Sequence, residues 1–174
     1  MIELWIPLND VPAEGREFHF TDQSLWTGPL KEFGLAASIG QEFAAQMFVT
    51  PQDGGVLVSG SFSGSVLLPC DRCIEEFELT VAGEFDSFEE PCDPASEVPE
   101  ECRVRRTTKG ELEFDAAGYL WEQFMLALPV SPVCAEDCQG LCPDCGVNRS
   151  KTACACVKDK GDPRLAVLRN LKLS

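Results

Sequence analysis

Alternating apolar and polar residues are the most regular pattern in the first half of the chain. This alternation places successive side chains on opposite faces of a half-buried sheet, so each such stretch predicts a β-strand. Two short strands are expected near the N-terminus, and three longer ones follow. The predicted strands span residues 2–8, 16–20, 43–50, 56–68 and 77–88.

Two turns connect the three long strands. Residues 51–55 read PQDGG, and glycines that can adopt positive φ favour a hairpin there. Residues 68–76 read LPCDRCIEE, which places Cys70 and Cys73 at the tip of the second predicted hairpin. Because a hairpin tip is open to neighbouring segments, both thiols are free to meet a metal ion.

A second hairpin region and two helices are predicted late in the chain. The hairpin is expected around residues 109–110. Asp115 can cap a helix that runs to about residue 128 and has Leu120 and Phe124 on one face; the following proline ends it. A shorter helix is predicted at residues 162–172, opened by an aspartate and a proline.

The composition is that of a protein able to form a core, yet strongly acidic. The chain has 174 residues, of which 44% are hydrophobic, and this suits one domain or one domain with a small module. Asp and Glu outnumber Lys and Arg by 29 to 14, giving a net charge of −15. Since such a surface repels phosphates, nucleic-acid binding over the whole surface is disfavoured.

The negative charge is concentrated before residue 149. Residues 1–148 carry a net charge of −20 and residues 149–174 one of +5. Acid is densest between Glu75 and Glu101, where eleven carboxylates occur without a lysine or arginine. This stretch is either a solvated strand face followed by a loop, or a docking face for a basic protein. The side chains that would contact such a partner are Glu75, Glu76, Glu78, Glu84, Asp86, Glu89 and Glu90.

Direct RNA binding through local basic patches is the alternative. The cationic side chains available for it lie in two groups, one near residue 105 and one in the C-terminal tail. They are Arg103, Arg105, Arg106, Arg149, Lys151, Lys158, Lys160, Arg164, Arg169 and Lys172. Aromatic residues are not interleaved with them, so base stacking is weakly supported.

The ten cysteines are the most informative part of the composition. The N-terminal residues lack the basic and apolar regions of a signal peptide, and no apolar run reaches the roughly 18 residues that a membrane span needs. We therefore expect a cytoplasmic protein without membrane association. Clustered thiols in a reducing compartment bind metal more often than they form disulfides.

Eight of these cysteines fall into groups with metal-ligand spacing. Two thiols separated by two residues can bind one tetrahedral zinc ion, and LCPDCG at residues 141–146 is a strong form of this zinc knuckle. We predict one local site and a second site that joins the hairpin tip to the segment after the helix. The local site comprises Cys142, Cys145, Cys154 and Cys156, and the second comprises Cys70, Cys73, Cys134 and Cys138.

Other partitions of the thiols are compatible with the spacing. Some pairs could be buried or redox-active thiols, or one site could form with the outer pairs left free. That single site would comprise Cys134, Cys138, Cys142 and Cys145. One or two structural zinc ions are therefore expected. Four thiolates close the coordination sphere and leave no open position for a catalytic water.

Few other groups suit catalysis. The one histidine, His19, lies in a predicted strand, for which a structural role is expected. No nucleophile elbow, phosphate loop or dinucleotide motif occurs. Cys92 and Cys102 lie in the proline-rich acidic insert at residues 91–102, lack ligand spacing and are expected to be free thiols. An enzyme with a small-molecule substrate is disfavoured.

Together these patterns predict an α+β fold. It is expected to contain a mostly antiparallel sheet or a partly closed barrel, with late helices and a C-terminal zinc-knuckle segment. Residues 1–130 would form the core domain, with the cysteine-bearing hairpin tip and the insert at 91–102. Residues 131–174 would form the cysteine-rich segment and a short basic helix.

Four stretches resemble the YceD family, the large ribosomal RNA subunit accumulation protein of bacteria and chloroplasts. They are LPCDRCIEEF at 68–77, FMLALPVSPVC at 124–134, DCQGLCPDCGVN at 137–148 and DPRLAVLRNLK at 162–172. The positions that match the family motif are Cys70, Arg72, Cys73, Cys138, Gly140, Leu141, Cys142, Cys145, Gly146, Cys154 and Cys156.

The resemblance implies a cytoplasmic, non-enzymatic accessory factor of large-subunit ribosome biogenesis that promotes accumulation of 23S rRNA. It implies no mechanism. Combined with the charge pattern, it leads us to expect a basic ribosomal protein, or ribosomal RNA, of the large subunit as the partner.

Overall fold

The computed structural model describes residues 3–92 and 102–156, which fold as an α+β protein. The strands are β1 (Trp5–Pro7), β2 (Arg16–Phe20), β3 (Ser38–Ile39), β4 (Ala44–Gln52), β5 (Gly55–Pro69), β6 (Glu76–Glu89), β7 (Val104–Arg106) and β8 (Leu112–Asp115). The helices are α1 (Ser24–Glu32) and α2 (Ala116–Ala127), and Leu8–Asp10 form a short 3₁₀ turn. Neither helix is long and apolar enough to cross a membrane.

The larger sheet is built around β5. This strand pairs antiparallel with β4 on one side and with β6 on the other, and β2 extends the β4 side. The short strand β3 continues along the β4 side of β5, with Ile39 opposite Val66. The three long strands predicted by alternation are thus confirmed; β5 and β6 extend one residue beyond both predicted ends, and β4 begins one residue later and ends two residues later than predicted.

A smaller antiparallel sheet contains β1, β8 and β7 in that order. Its β7–β8 hairpin turns at residues 107–110, where the Gly110 N–H donates to the Thr107 carbonyl at 2.9 Å and Gly110 has a φ of 85°. The hairpin predicted around residues 109–110 is confirmed. Within the described ranges the two sheets stay separate and close no barrel, so of the two predicted arrangements the antiparallel sheets are present and the barrel is not.

The inner face of the larger sheet is covered by both helices. Trp26 of α1 is fully buried, with its ring centroid 5.1 Å from that of Phe43 and 5.9 Å from that of Phe124 on α2. Near the other end of α2, the Tyr119 hydroxyl lies 2.7 Å from the Ser87 hydroxyl of β6. The helices therefore bury an aromatic core against β4, β5 and β6.

Helix α1 is absent from the sequence-based prediction, which placed helices only late in the chain. Gly28 and Pro29 lie inside it, and both residues disfavour a helix interior. Its stability therefore depends on burial of Leu25, Trp26 and Leu30. The helix predicted at 162–172 lies outside the described residues.

Helix α2 begins where the sequence predicted, at a capping aspartate. The Gly118 N–H donates to Asp115 Oδ1 at 3.0 Å, and Arg103 Nη1 lies 3.5 Å from Asp115 Oδ2. A side chain at position 118 would lie 2.2 Å from that oxygen and 2.4 Å from the guanidinium, so only glycine fits there. One carboxylate therefore caps the helix and holds Arg103 beside it.

Replacing Asp115 tests this arrangement. Asp115→Ala removes the cap and leaves a nearly buried guanidinium without that partner, so we expect a loss of about 1–3 kcal/mol in the free energy of unfolding. Asp115→Asn keeps a capping oxygen and should lose less. Urea unfolding measures both; equal losses in the two variants would contradict the capping role.

Candidate metal centres

The tip of the β5–β6 hairpin is a tight knuckle that contains Cys70 and Cys73. The Ile74 N–H donates to the Cys70 carbonyl at 2.8 Å, and the Cys70 N–H donates to the Glu75 carbonyl at 2.9 Å. Ile74 has a φ of 63°, the left-handed region that L-residues with a branched Cβ rarely adopt. The turn directs both thiols to the same side of the tip.

The segment after α2 docks on this tip and supplies Cys134 and Cys138. The Asp71 N–H donates to the Pro132 carbonyl at 2.9 Å, and the Ser131 hydroxyl donates to Asp71 Oδ2 at 2.8 Å. These bonds align the incoming chain with the knuckle. The four thiols that meet here, the first tetrad, are Cys70, Cys73, Cys134 and Cys138.

The geometry of the first tetrad fits a tetrahedral metal ion. Its four Sγ atoms lie within 4.8 Å of one another. The Sγ atoms of Cys70 and Cys138 are 3.9 Å apart, and those of Cys73 and Cys134 are 3.7 Å apart. A zinc–sulfur bond of about 2.3 Å gives a tetrahedron with sulfur–sulfur edges of about 3.8 Å. The thiols of this tetrad could therefore hold one metal ion.

Backbone amides favour the thiolate form at one position of the first tetrad. Burial opposes ionisation of Cys70, but N–H groups of Cys134, Arg72 and Cys73 lower the pKa of this thiol to about 6. Hydrogen bonding to Cys138, together with burial, raises the pKa of Cys134 to about 12. Ionisation is thus easier at Cys70 and harder at Cys134, because adjacent thiolates repel; a divalent cation would remove that repulsion.

A second tetrad lies on the cysteine-rich segment itself and comprises Cys142, Cys145, Cys154 and Cys156. Its four Sγ atoms also lie within 4.8 Å of one another. The N–H groups of Cys145 and Asp144 lower the pKa of Cys142 to about 7, whereas hydrogen bonding to Cys145 raises the pKa of Cys156 to about 12. This tetrad could hold a second metal ion.

The two knuckles have the same turn. The Gly146 N–H donates to the Cys142 carbonyl at 2.9 Å, as the Ile74 N–H does to the Cys70 carbonyl, and Gly146 has a φ of 71°. Ile74 therefore occupies the position that glycine holds in the other knuckle. Ile74 was not among the predicted site residues, although an alignment of CDRCI with CPDCG places it opposite Gly146.

Arg72 connects the two tetrads. Its carbonyl accepts the Leu141 N–H at 3.0 Å, and its guanidinium donates to the carbonyls of Glu136 and Cys138 at 2.9 and 3.1 Å. A side chain on Gly140 would lie 2.8 Å from the same Arg72 carbonyl, which explains a glycine with a φ of 67° there. The motif residues between the cysteines thus hold the second knuckle against the first.

Glu75 makes a further connection between the hairpin and the cysteine-rich segment. Lys151 forms an ion pair with Glu75, and Asn148 Nδ2 donates to Glu75 Oε1 at 2.9 Å. Both contacts lower the pKa of the Glu75 carboxyl. Glu75, predicted to contact a partner, and Lys151, predicted to contact RNA, therefore pair with each other.

The structure brings the eight spaced cysteines together as two closed groups. One is local and the other joins the hairpin tip to the segment after α2. The single-site alternative, in which Cys134 and Cys138 meet Cys142 and Cys145, is not the grouping that the structure shows. Each group has four sulfur ligands, an arrangement suited to a structural metal rather than to activation of water.

Cys92 and Cys102 form a disulfide, so the expectation of free thiols is wrong. Pro91 after β6 forms a parallel bridge with Val104 of β7, and the Cys92 N–H donates to the Val104 carbonyl at 3.2 Å. This pairing brings the two Cα atoms to 5.7 Å. The sequence contained no sign of it, because it depends on where β6 and β7 lie relative to each other.

All five predicted RNA-binding cations among the described residues, including Lys151, have partners within the protein. Arg103 pairs with Asp115 and Glu122, and Arg105 pairs with Glu113 at 3.0 Å while lying over the Trp5 ring. Arg106 donates to the Gly110 carbonyl, and Arg149 lies 3.5 Å from Gln139 Oε1. The other predicted cations lie outside the described residues: Lys158, Lys160, Arg164, Arg169 and Lys172.

Because side chains alternate along β6, the residues of the predicted acidic face lie on two different sides of the sheet. The even-numbered residues of β6 lie on the exposed outer face of the larger sheet. The acidic residues among them are Glu76, Glu78, Glu84 and Asp86. Glu89 lies on the opposite side and accepts a hydrogen bond from Ser87, and Glu90 follows the strand. His19 is exposed on β2, 3.6 Å from Glu17, rather than part of the core.

The fold and its thiols define an α+β protein with two four-cysteine candidate metal centres. The sequence profile of the family described as large ribosomal RNA subunit accumulation protein YceD matches residues 58–172, more than half of the chain. The chain belongs to this family, as the resemblance of its motifs indicated. The matched range contains both tetrads.

Several mycobacterial proteins are also similar. Uncharacterized proteins of Mycobacterium tuberculosis and Mycobacterium bovis are 34% identical over 94 residues, which cover 53% of this chain and 44% of the relative. An uncharacterized protein of Mycobacterium leprae is 27% identical over 94 residues, 53% of this chain and 42% of the relative. The match thus spans less than half the length of these relatives. No solved structure matches the chain.

Substitutions at Ile74 and Gly146, the matching positions of the two knuckles, test whether the left-handed backbone at Ile74 lowers the free energy of unfolding. A left-handed backbone costs an L-residue about 1–2 kcal/mol, and glycine avoids this cost. Part of the gain in stability is lost again, because the unfolded chain has more conformational entropy with glycine. Since Ile74 is 67% exposed, little packing is lost. We expect Ile74→Gly to raise the free energy of unfolding by up to about 1 kcal/mol.

The matched variant is Gly146→Ala, which should lower the free energy of unfolding by roughly 1 kcal/mol. Urea unfolding of both variants measures these opposite effects. A loss of stability in Ile74→Gly would show that the isoleucine side chain contributes more than its backbone costs.

Proposed function

We propose that this protein is a non-enzymatic, cytoplasmic accessory factor of large-subunit ribosome biogenesis, which promotes accumulation of 23S rRNA. Membership of the YceD family supports a role in this process, since the family is described as a large ribosomal RNA subunit accumulation protein. The closed four-thiol centres support a structural rather than a catalytic use of metal. Binding to a basic protein of the large subunit is the activity we assign to it.

We further propose that both tetrads bind zinc. Four thiolates are a usual ligand set for structural zinc, and the sulfur–sulfur distances of the first tetrad match its tetrahedral geometry. When bound, zinc supplies a cross-link and neutralises thiolate charge. The chain's own residues direct the ligands: the knuckle amides face the sulfurs, and Arg72 holds the two centres together.

The outer face of the larger sheet is the observation that supports a basic partner. Glu17 of β2 and the four even-numbered acids of β6 lie on this face, and none of its described residues is a lysine or arginine. Among the described residues, no cation lies within ion-pair distance of Glu84 or Asp86. A face with unpaired charge of one sign attracts a partner of the other sign.

Zinc content tests the first part of this proposal. Elemental analysis of the purified full chain should find two zinc ions per chain, one for each tetrad. Cys73→Ser and Cys145→Ser should each lose one ion, because each removes one ligand from a different tetrad. Cys92→Ser is the matched control, since Cys92 belongs to neither tetrad, and it should lose none.

Other zinc contents would contradict this assignment. One zinc ion in the wild-type chain, lost with Cys134→Ser as well as with Cys145→Ser but kept with Cys73→Ser, would instead favour the single site formed by the four central cysteines. A chain without zinc would overturn the metal assignment.

Capture of large-subunit ribosomal proteins by the full chain tests the second part. We expect basic ribosomal proteins to bind at low salt and to be lost at high salt, where the Debye length falls to about 3 Å at 1 M. Glu84→Gln combined with Asp86→Asn should reduce capture several-fold. The same charge change at Asp10 and Glu14, off this sheet face, is the control and should leave capture unchanged.

Capture of no basic ribosomal protein at either salt concentration would overturn the proposed partner. If instead ribosomal RNA fragments bind, and binding weakens when Arg106 and Arg149 are neutralised, the protein acts directly on RNA.

A further inference from the structure

We propose that the free edge of β6 binds an extended basic segment of a partner protein as an additional strand. The inference rests on the proposed function, in which the partner is a basic protein, and it specifies how that partner is held. Strand addition uses backbone hydrogen bonds for affinity and alternate side chains for specificity. β6 offers both.

The first observation is that one edge of β6 has no strand partner. β6 spans Glu76–Glu89 and pairs only with β5 among the described residues. No backbone hydrogen bond joins its other edge to any described segment. Edge strands of this length are usually shortened, bulged or covered, because exposed N–H and C=O groups attract another strand.

The register identifies which backbone groups face outward. The Ser65 N–H of β5 donates to the Gln41 carbonyl, on the β3 side, while the Cys70 N–H donates to the Glu75 carbonyl, on the β6 side. Since backbone direction alternates along a strand, even-numbered residues of β5 face β6. Gly60 is opposite Phe85, so odd-numbered β6 residues bond to β5. The outward N–H groups belong to Glu76, Glu78, Thr80, Ala82, Glu84, Asp86 and Phe88.

The second observation is a partly buried apolar margin at the first residues of the same strand. On β4 and β5 the inward side chains of Met47, Val49 and Val58 are completely buried. On β6, the inward side chains of Val81 and Phe85 are also buried, but those of Phe77 and Leu79 are only partly buried at the margin of the core. An added strand would cover this margin with every second side chain.

The third observation is the charge on the outer face beside the same edge. Glu78, Glu84 and Asp86 alternate with the inward apolar residues, so side chains of an added strand would meet carboxylates on one face and apolar groups on the other. The segment that fits is an extended one in which Lys or Arg alternates with apolar residues. RNA does not fit, because its phosphates would meet these carboxylates.

Removing one outward N–H tests how much the backbone hydrogen bonds of the β6 edge contribute to binding of an added strand. Ala82→Pro deletes an N–H on the free edge but none of the β5–β6 hydrogen bonds, and proline is tolerated on edge strands in this orientation. Ala82→Thr is the matched control, because it keeps the N–H. Urea unfolding of both full-length variants establishes that the sheet is intact.

The probe is a fluorescent nine-residue peptide of alternating lysine and valine, with binding measured by anisotropy at low salt. A second peptide carries proline at two central valine positions and keeps the same charge. We expect the first peptide to bind wild type and Ala82→Thr equally, and Ala82→Pro at least tenfold more weakly. The proline-containing peptide should bind wild type at least tenfold more weakly as well.

The outcomes separate this inference from the proposed function. Equal binding of both peptides, or of wild type and a stably folded Ala82→Pro, would overturn strand addition; loss of binding on neutralising Glu84 and Asp86 would then leave the acidic face as the docking site. Absence of peptide binding, alongside capture of basic ribosomal proteins, would overturn the edge site alone. Should Ala82→Pro unfold, the comparison of the two peptides on wild type decides the question.

Discussion

The meeting of four thiols at the tip of the β5–β6 hairpin is the contact on which the arrangement of the C-terminal half depends. It joins residues 61 and 68 positions apart, Cys73 with Cys134 and Cys70 with Cys138. Closing so long a loop costs chain entropy, and four thiols gathered in one place repel once ionised. A metal ion bound by all four would offset both costs. Arg72, Gly140 and Glu75 then position the second tetrad against the first.

The two faces of the larger sheet differ: the inner face packs against the core and the outer face is exposed. The inner face packs Trp26, Phe43 and Phe124 into an aromatic core, and Tyr119 reaches Ser87 on β6. The outer face is left without a covering layer among the described residues and carries carboxylates. The hairpin tip that carries two thiols of the first tetrad leads directly into β6 and its exposed acids, so the candidate metal centre and the proposed binding surface lie on one continuous hairpin.

Local signals were sufficient for the three long strands, both knuckles and the start of α2. Alternation marks β4, β5 and β6, and Asp115 caps its own helix through a contact only three residues away. Local signals failed where neighbours in space decide. Helix α1 contains Gly28 and Pro29 and forms because Trp26 is buried by residues far along the chain. The disulfide of Cys92 and Cys102 depends on the pairing of Pro91 with Val104.

The sequence by itself determined the three long strands, the start of α2, the acid on β6 and the pairing of thiols within each knuckle, since these depend on spacing of a few residues. Only the tertiary structure decided which knuckle meets which outlying pair, because spacing alone allowed two partitions. It also decided which cations are available: Arg103, Arg105 and Lys151 already pair with carboxylates that folding brings to them. Long-range contacts between charged or ligating side chains are set by chain packing, which no short stretch of sequence contains.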